Sequence, residues 1–92
     1  MEMIEYFNRY SDTDLPDKMG RWARIGIYNN IRVSWISRVQ TKDKVVFCAS
    51  CHFPTMQNDT ANEHKTFETF ENAKDFVSER WNWFLNAIKQ PE

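Results

Sequence analysis

Apolar residues follow three different spacings along the chain. Met3, Tyr6, Phe7 and Tyr10 fall at i, i+3, i+4 and i+7, which marks one face of a helix and predicts a short N-terminal helix. Ser11-Asp12-Thr13-Asp14-Leu15-Pro16-Asp17 is rich in turn formers and reads as loop. From Arg21 the period falls to two, and residues 21–28, 31–39 and 45–53 read as three strands. Residues 54–66 read as a polar loop. A helical period then returns, with Thr66 or Thr69 as the cap of a helix reaching about Ile88. On that helix Phe70, Ala73, Phe76, Val77, Trp81, Trp83 and Phe84 belong to one apolar arc of about 200°. Lys74 and Arg80 interrupt the arc, and Glu71, Asp75 and Glu79 lie opposite it. The expected fold is α+β: a three-stranded antiparallel β-meander packed against a long C-terminal helix, with the short N-terminal helix alongside.

The register of the meander decides which side chains the helix covers. A two-residue loop at Asn29-Asn30 pairs Tyr28 with Ile31 and divides the aliphatic residues between the two faces. A three-residue loop over 28–30, with Asn30 left-handed in a bulge, pairs Ile27 with Ile31 and Ile25 with Val33. The second choice gathers the large apolar residues on one face, and it is the one expected. Carried across a pairing of Val39 with Val45, it adds Phe47, Ala49, Cys51 and Phe53 to the covered side. Trp22, Arg24, Gly26, Arg32, Ser34, Ile36, Arg38, Cys48, Ser50 and His52 then form the solvent-facing side.

Length and composition narrow the class. A chain of 92 residues is one domain, 1–92. Its four Trp, seven Phe and three Tyr allow a core without disulfides, since each buried aromatic removes about 150–250 Å² from water. The net charge of −1 excludes a simple attraction of the whole molecule to polyanions. That charge is unevenly spread: residues 20–44 hold Arg21, Arg24, Arg32, Arg38, Lys42 and Lys44 against Asp43 alone, between two acidic segments. No apolar run approaches the roughly 20 residues that span a bilayer. Met1-Glu2-Met3-Ile4-Glu5 lacks the features of a secretory leader, so a cytoplasmic address with reduced thiols is expected.

Two motifs invite a chemical reading. Cys48-Ala49-Ser50-Cys51-His52 matches the pattern of covalent haem attachment. Within a strand, however, Cys48 and Cys51 point to opposite faces and cannot reach one macrocycle. The same geometry opposes zinc held by Cys48, Cys51, His52 and His64, because tetrahedral ligands must converge. It opposes a redox dithiol too, which needs a helix start to lower the thiol pKa. The plain alternative is a buried Cys51 acting as a small hydrophobe, with Cys48 on the outer face. No nucleophile elbow is present, and Gly20 and Gly26 alone make no phosphate-cradling loop. Glu71, Asp75 and Glu79 are read as a solvated helix face. No enzyme activity, cofactor, metal, membrane or small-molecule substrate is expected.

The solvent-facing side carries the functional expectation. Trp22, Arg24, Arg32, Arg38 and His52 are the candidate partner-binding residues. Arginines beside an aromatic ring suit phosphates and bases, and equally the acidic groups of a protein partner. A merely solvated sheet face would carry Thr, Lys and Glu instead. Trp83 and Phe76, at the margin of the helix arc, are expected to pack on Tyr6, Phe7 and Tyr10.

In size and outline, over about residues 21–88, the chain resembles small phage-encoded anti-CRISPR inhibitor proteins. Phe67-Glu68-Thr69-Phe70-Glu71-Asn72-Ala73-Lys74-Asp75-Phe76 is similar to the step from loop into helix in several of them. The resemblance implies a non-enzymatic, stoichiometric inhibitor in the host cytoplasm. It would bind a host protein or ribonucleoprotein, a CRISPR surveillance complex, contact guide RNA or acidic protein, and block target DNA. The alternatives are a free RNA- or DNA-binding module using the same face, and a thiol or zinc protein centred on Cys48 and Cys51.

Overall fold

The computed structural model describes residues 3–52 and 62–89. It is α+β, with a five-stranded antiparallel sheet in the order β1-β2-β3-β4-β5 and one C-terminal helix. The strands are β1 (Glu5–Arg9), β2 (Ala23–Tyr28), β3 (Ile31–Gln40), β4 (Val45–His52) and β5 (Asn62–Phe67), followed by α1 (Phe70–Lys89). Two expected features are corrected. The N-terminal segment is an edge strand rather than a helix, and Asn62–Phe67 form β5 at the end of the stretch where a polar loop was expected. The rest of that loop, and Phe53, lie outside the described residues.

β1 forms because a neighbour strand gives it a ladder to join. Five residues make too short a helix to repay nucleation, whereas Tyr and Phe suit a pleated, half-buried surface. Tyr6 lies opposite Gly26, whose missing side chain leaves the room. A Cβ on Gly26 would stand 2.9 Å from Ile4 Cγ2 and 3.2 Å from Tyr6 Cε2, and would collide with Ser34 Oγ. β5 is polar because it is the other edge, where apolar side chains would invite unwanted pairing.

Asn29 and Asn30 both adopt positive φ, 50° and 66°. They form a two-residue turn that pairs Tyr28 with Ile31, which corrects the expected three-residue loop. Asparagine tolerates this region, and the twist of such turns matches that of the strands. The register shifts between Gly26 and Ile27, where β3 carries Val33 as an extra residue. That bulge puts both Val33 and Ser34 in the interior. At the next turn Gln40 pairs with Val45 and Val39 with Val46, one position from expectation. Thr41 Oγ1 donates to Lys44 O (2.8 Å) and accepts from Lys44 N (3.1 Å), fixing that turn. A one-residue slip moves every side chain of a strand to the other face.

Thr69 caps α1: its hydroxyl accepts from Asn72 N at 3.0 Å, and Ala73 N donates to its carbonyl at 3.2 Å. The helix lays Ala73, Val77, Trp81 and Phe84 on Val33, Ile36, Ala49 and Cys51 of the sheet. Aromatic rings close both ends of this layer. Phe70 meets Trp22 (5.4 Å) and Tyr6 (6.0 Å), while Trp81 meets Tyr28 (5.1 Å). Phe76 packs on Phe67 at 5.3 Å, not on an N-terminal helix. Trp83 stays 55% exposed, with the Arg80 guanidinium 5.0 Å from its ring centre. Among the described residues no helix is long and apolar enough to cross a membrane.

Candidate interaction surface

The five residues singled out in the sequence do not share a surface. Cross-strand partners lie on one face, so the register assigns each of them. Arg24 pairs with Ile36, and Arg38 with Phe47, both on the helix side, and Trp22 is buried there against Phe47 and Phe70. Arg32 pairs with Ile27, and His52 follows the inward-facing Cys51, so these two lie on the open side. The expected contact area of Trp22, Arg24, Arg32, Arg38 and His52 is therefore divided between both faces. The Asn29-Asn30 turn separates Arg24 from Arg32, the bulge at Val33 separates Arg32 from Arg38, and the register set at the Thr41–Lys44 turn separates Arg38 from His52.

Trp22 and Arg24 form a clamp on the loop that leads out of β1. Arg24 is 8% exposed, and its guanidinium sits 4.0 Å above the Trp22 ring. Its Nη1 donates to Ser11 O (2.9 Å) and Ala23 O (2.8 Å), and its Nη2 to Thr13 O (2.7 Å). Trp22 Nε1 donates to the same Thr13 carbonyl at 2.7 Å. A buried cation is costly unless its protons are satisfied, and here carbonyls satisfy them. Burial lowers the Arg24 pKa, while nearby Asp14 and Asp12 oppose that shift. The loop itself is tied by Asp17, whose carboxylate accepts from Met19 N (2.9 Å) and Arg21 N (2.8 Å) and pairs with Arg21 at 3.1 Å. The Arg21 amide is the largest cause of a lowered Asp17 pKa, and the Arg21 side chain adds to it.

The side of the sheet away from α1 has a different character. Phe7, Ile25, Ile27, Trp35, Val39 and Val46 lie there by register. Phe7 and Val39 are 51% and 42% exposed, and Ile25, Ile27, Trp35 and Val46 are half-buried. Tyr10, at the positive-φ residue that ends β1, meets Trp35 edge to face at 6.3 Å. Arginines ring these aromatics: Arg9 and Arg21 lie 5.2 and 4.7 Å from the Tyr10 ring centre, and Arg32 lies 5.8 Å from that of Trp35. Desolvation, and then the Arg32 charge, lower the His52 pKa.

The helix-facing side, conversely, buries polar groups. Ser34 is fully buried, and its hydroxyl and the Tyr6 hydroxyl lie near one another without an ordinary hydrogen bond. Burial pushes the Tyr6 phenol up to about 12, with Ser34 opposing and Cys51 adding to the shift. The sheet thus turns Arg24, Ser34 and Arg38 toward its helix and an aliphatic-aromatic set toward solvent. Sequence reasoning missed that open set because it placed every large apolar residue of the first two strands except Trp22 and Ile36 under the helix. The signal that could have found it was Gly26, an interior strand glycine of the kind that marks close backbone approach or a bulge.

Cys48 pairs with Ser37 and Thr66, whereas Cys51 pairs with Ser34. The two thiols therefore point to opposite faces. Among the described residues no group of three or more His, Cys, Asp and Glu side chains could hold a metal ion. No protein-family model matches the chain, and neither does any curated protein or solved structure.

Proposed function

We propose that the protein is a non-catalytic docking domain that binds another protein through the open face of its sheet. The observation that supports this reading is the apolar set Phe7, Ile25, Ile27, Trp35, Val39 and Val46 on the side that no helix covers. An antiparallel sheet with one solvated side normally alternates apolar-in with polar-out. A contiguous exposed apolar patch with a polar rim is the mark of an interaction site. Trp, Tyr and Arg are the residues that most often anchor protein interfaces, and Trp35, Tyr10 and Arg32 lie together here. The overall charge of −1 favours a protein partner over a nucleic acid.

An inhibitor that blocks a CRISPR surveillance complex, as the sequence resemblance implies, is one form of this reading. The five-stranded sheet departs from the three-stranded outline on which the resemblance drew.

The test is a paired substitution, Trp35→Ala with Arg32→Glu, in the purified chain. Circular dichroism should remain unchanged, and capture of a partner from host extract should fall by about tenfold or more, as loss of an anchor cluster implies. Retained capture by the double variant would remove the open face as the contact surface. Steeply salt-dependent binding of single-stranded oligonucleotides, lost in the double variant, would instead favour the nucleic-acid module. The CRISPR form is tested separately, by whether expression of the chain protects a targeted plasmid in cells with an active interference system.

A further inference from the structure

We infer that the β1 edge is a self-association surface, pairing antiparallel with the β1 of a second copy about Phe7. This inference does not depend on the docking role of the open face. Arg38 N donates to Trp22 O at 3.1 Å, so the Trp22 carbonyl points toward β3. Backbone groups alternate along a strand, which directs those of Ala23, Ile25 and Ile27 toward β1. Their partners Arg9, Phe7 and Glu5 therefore spend their own amides and carbonyls on β2. The amides and carbonyls of Tyr6 and Asn8 consequently point off the sheet edge, and no described strand lies beyond β1.

The side chains select the occupant. An antiparallel pair centred on Phe7 sets Tyr6 opposite the second copy's Asn8, so that each of these residues donates and accepts across the new ladder. On the open face, the same register sets Glu5 opposite the second copy's Arg9 at both ends, with the two Phe7 rings meeting at the centre. In such a pair these are the closely spaced, non-hydrogen-bonded positions, where cross-strand side chains interact most strongly. Glu5 and Arg9 are both exposed, and neither has an ion-pair partner within 4.0 Å among the described residues. Phe7 is 51% exposed. A strand of charge order minus, apolar, plus is complementary to its own reverse, so the second copy is the partner this edge fits. The two-fold axis would run perpendicular to the sheet. Both helices would then lie on one side, and the two open apolar faces would join across Phe7.

Charge reversal tests this with the intact chain. Sedimentation equilibrium should show a concentration-dependent dimer for the wild type. Glu5→Arg alone, or Arg9→Glu alone, places like charges opposite at both ends and should weaken dimerisation by about tenfold or more. The double variant Glu5→Arg/Arg9→Glu restores both attractive pairs and should dimerise as the wild type does. An equimolar mixture of the two single variants should form a heterodimer tighter than the self-association of either alone. Circular dichroism of each variant confirms that the fold persists. A wild type that stays monomeric at the highest soluble concentration overturns the inference. A dimer indifferent to both single reversals does so too, since it must form elsewhere.

Discussion

Each side of the sheet sets an arginine over a tryptophan, and these two pairs do opposite work. On the helix side Arg24 lies 4.0 Å over Trp22, buried and donating to three backbone carbonyls. On the open side Arg32 lies 5.8 Å from the centre of Trp35, at an exposed position near His52. Residue type is the same in both, so burial and hydrogen bonding decide the role. The first pair is structural, closing the core and pinning Ser11 and Thr13. The second is presented to solvent, where a guanidinium and an indole are available to a partner. The widest separation between them should appear on truncating the rings. Trp22→Ala removes a 5%-exposed side chain from between Phe47 and Phe70 and should cost about 3–5 kcal/mol of stability. Trp35→Ala should cost about 1 kcal/mol or less, as a half-exposed change away from the core. Urea unfolding of the two variants measures both, and equal losses would erase the distinction.

The arginines extend the same contrast at smaller amplitude. Arg24→Ala leaves the carbonyls of Ser11 and Thr13 without their charged donor and should destabilise by about 2–3 kcal/mol. Arg24→Lys should recover only part of this, because an ammonium cannot span three carbonyls as a planar fork does. Arg32→Ala should stay within about 0.5 kcal/mol of wild type, the usual effect of a surface substitution. A readout sharper than the midpoint is proteolysis within 11–20, which should accelerate in Arg24→Ala and not in Arg32→Ala.

This contrast was only half legible in the sequence. Most of the helix was readable: Ala73, Val77, Trp81 and Phe84 of the expected arc are buried and Thr69 is the cap, while Trp83 of that arc stays exposed. So was β4, whose Phe47, Ala49 and Cys51 do face the helix. The faces of β2 and β3 were not, because maximising apolar burial under one helix favours a register that the turns reject. Two asparagines accept positive φ, and Val33 is absorbed as a bulge. Those local preferences outweigh the hydrophobic count because the uncovered face is allowed to stay apolar. The same reasoning hid β1. Met3, Tyr6, Phe7 and Tyr10 match a helical stripe by spacing, but Tyr6 alone turns inward, over Gly26. An edge strand gains its stability from a neighbour far away in sequence, and a local periodicity cannot register that.

The turn itself therefore bears on which arginine is buried. Asn30→Ala puts an ordinary side chain at φ 66° and should cost about 1 kcal/mol, the penalty of a left-handed residue without asparagine's tolerance. Asn30→Gly should be neutral or slightly stabilising, since Asn-Gly is the preferred pair for this turn. Chemical denaturation of both variants, read beside Trp22→Ala, tests whether the two-residue turn is the one the chain uses. A three-residue loop would make position 29 indifferent to alanine, so Asn29→Ala, at φ 50°, is the companion measurement.

The smallest expected effect lies on the open side and is set by pH. Local desolvation and the nearby Arg32 charge hold the His52 pKa below its ordinary value of 6.5. The unfolded chain, with its histidine near the ordinary value, binds this proton more readily than the native state. Between the lowered native pKa and about 6.5 the unfolded state therefore carries more bound protons, and stability must rise with pH across that window. His52 contributes no penalty above it, and the penalty grows as pH falls through it. Thermal unfolding at two pH values on either side of 6.5 should show a smaller acid loss in His52→Gln than in wild type. Nuclear magnetic resonance of the imidazole gives the cause directly. The His52 midpoint should lie below 6.5 and rise in Arg32→Ala, while Arg24→Ala, acting on the other face, should leave it in place. A midpoint that follows Arg24 instead would place the two arginine pairs on one surface.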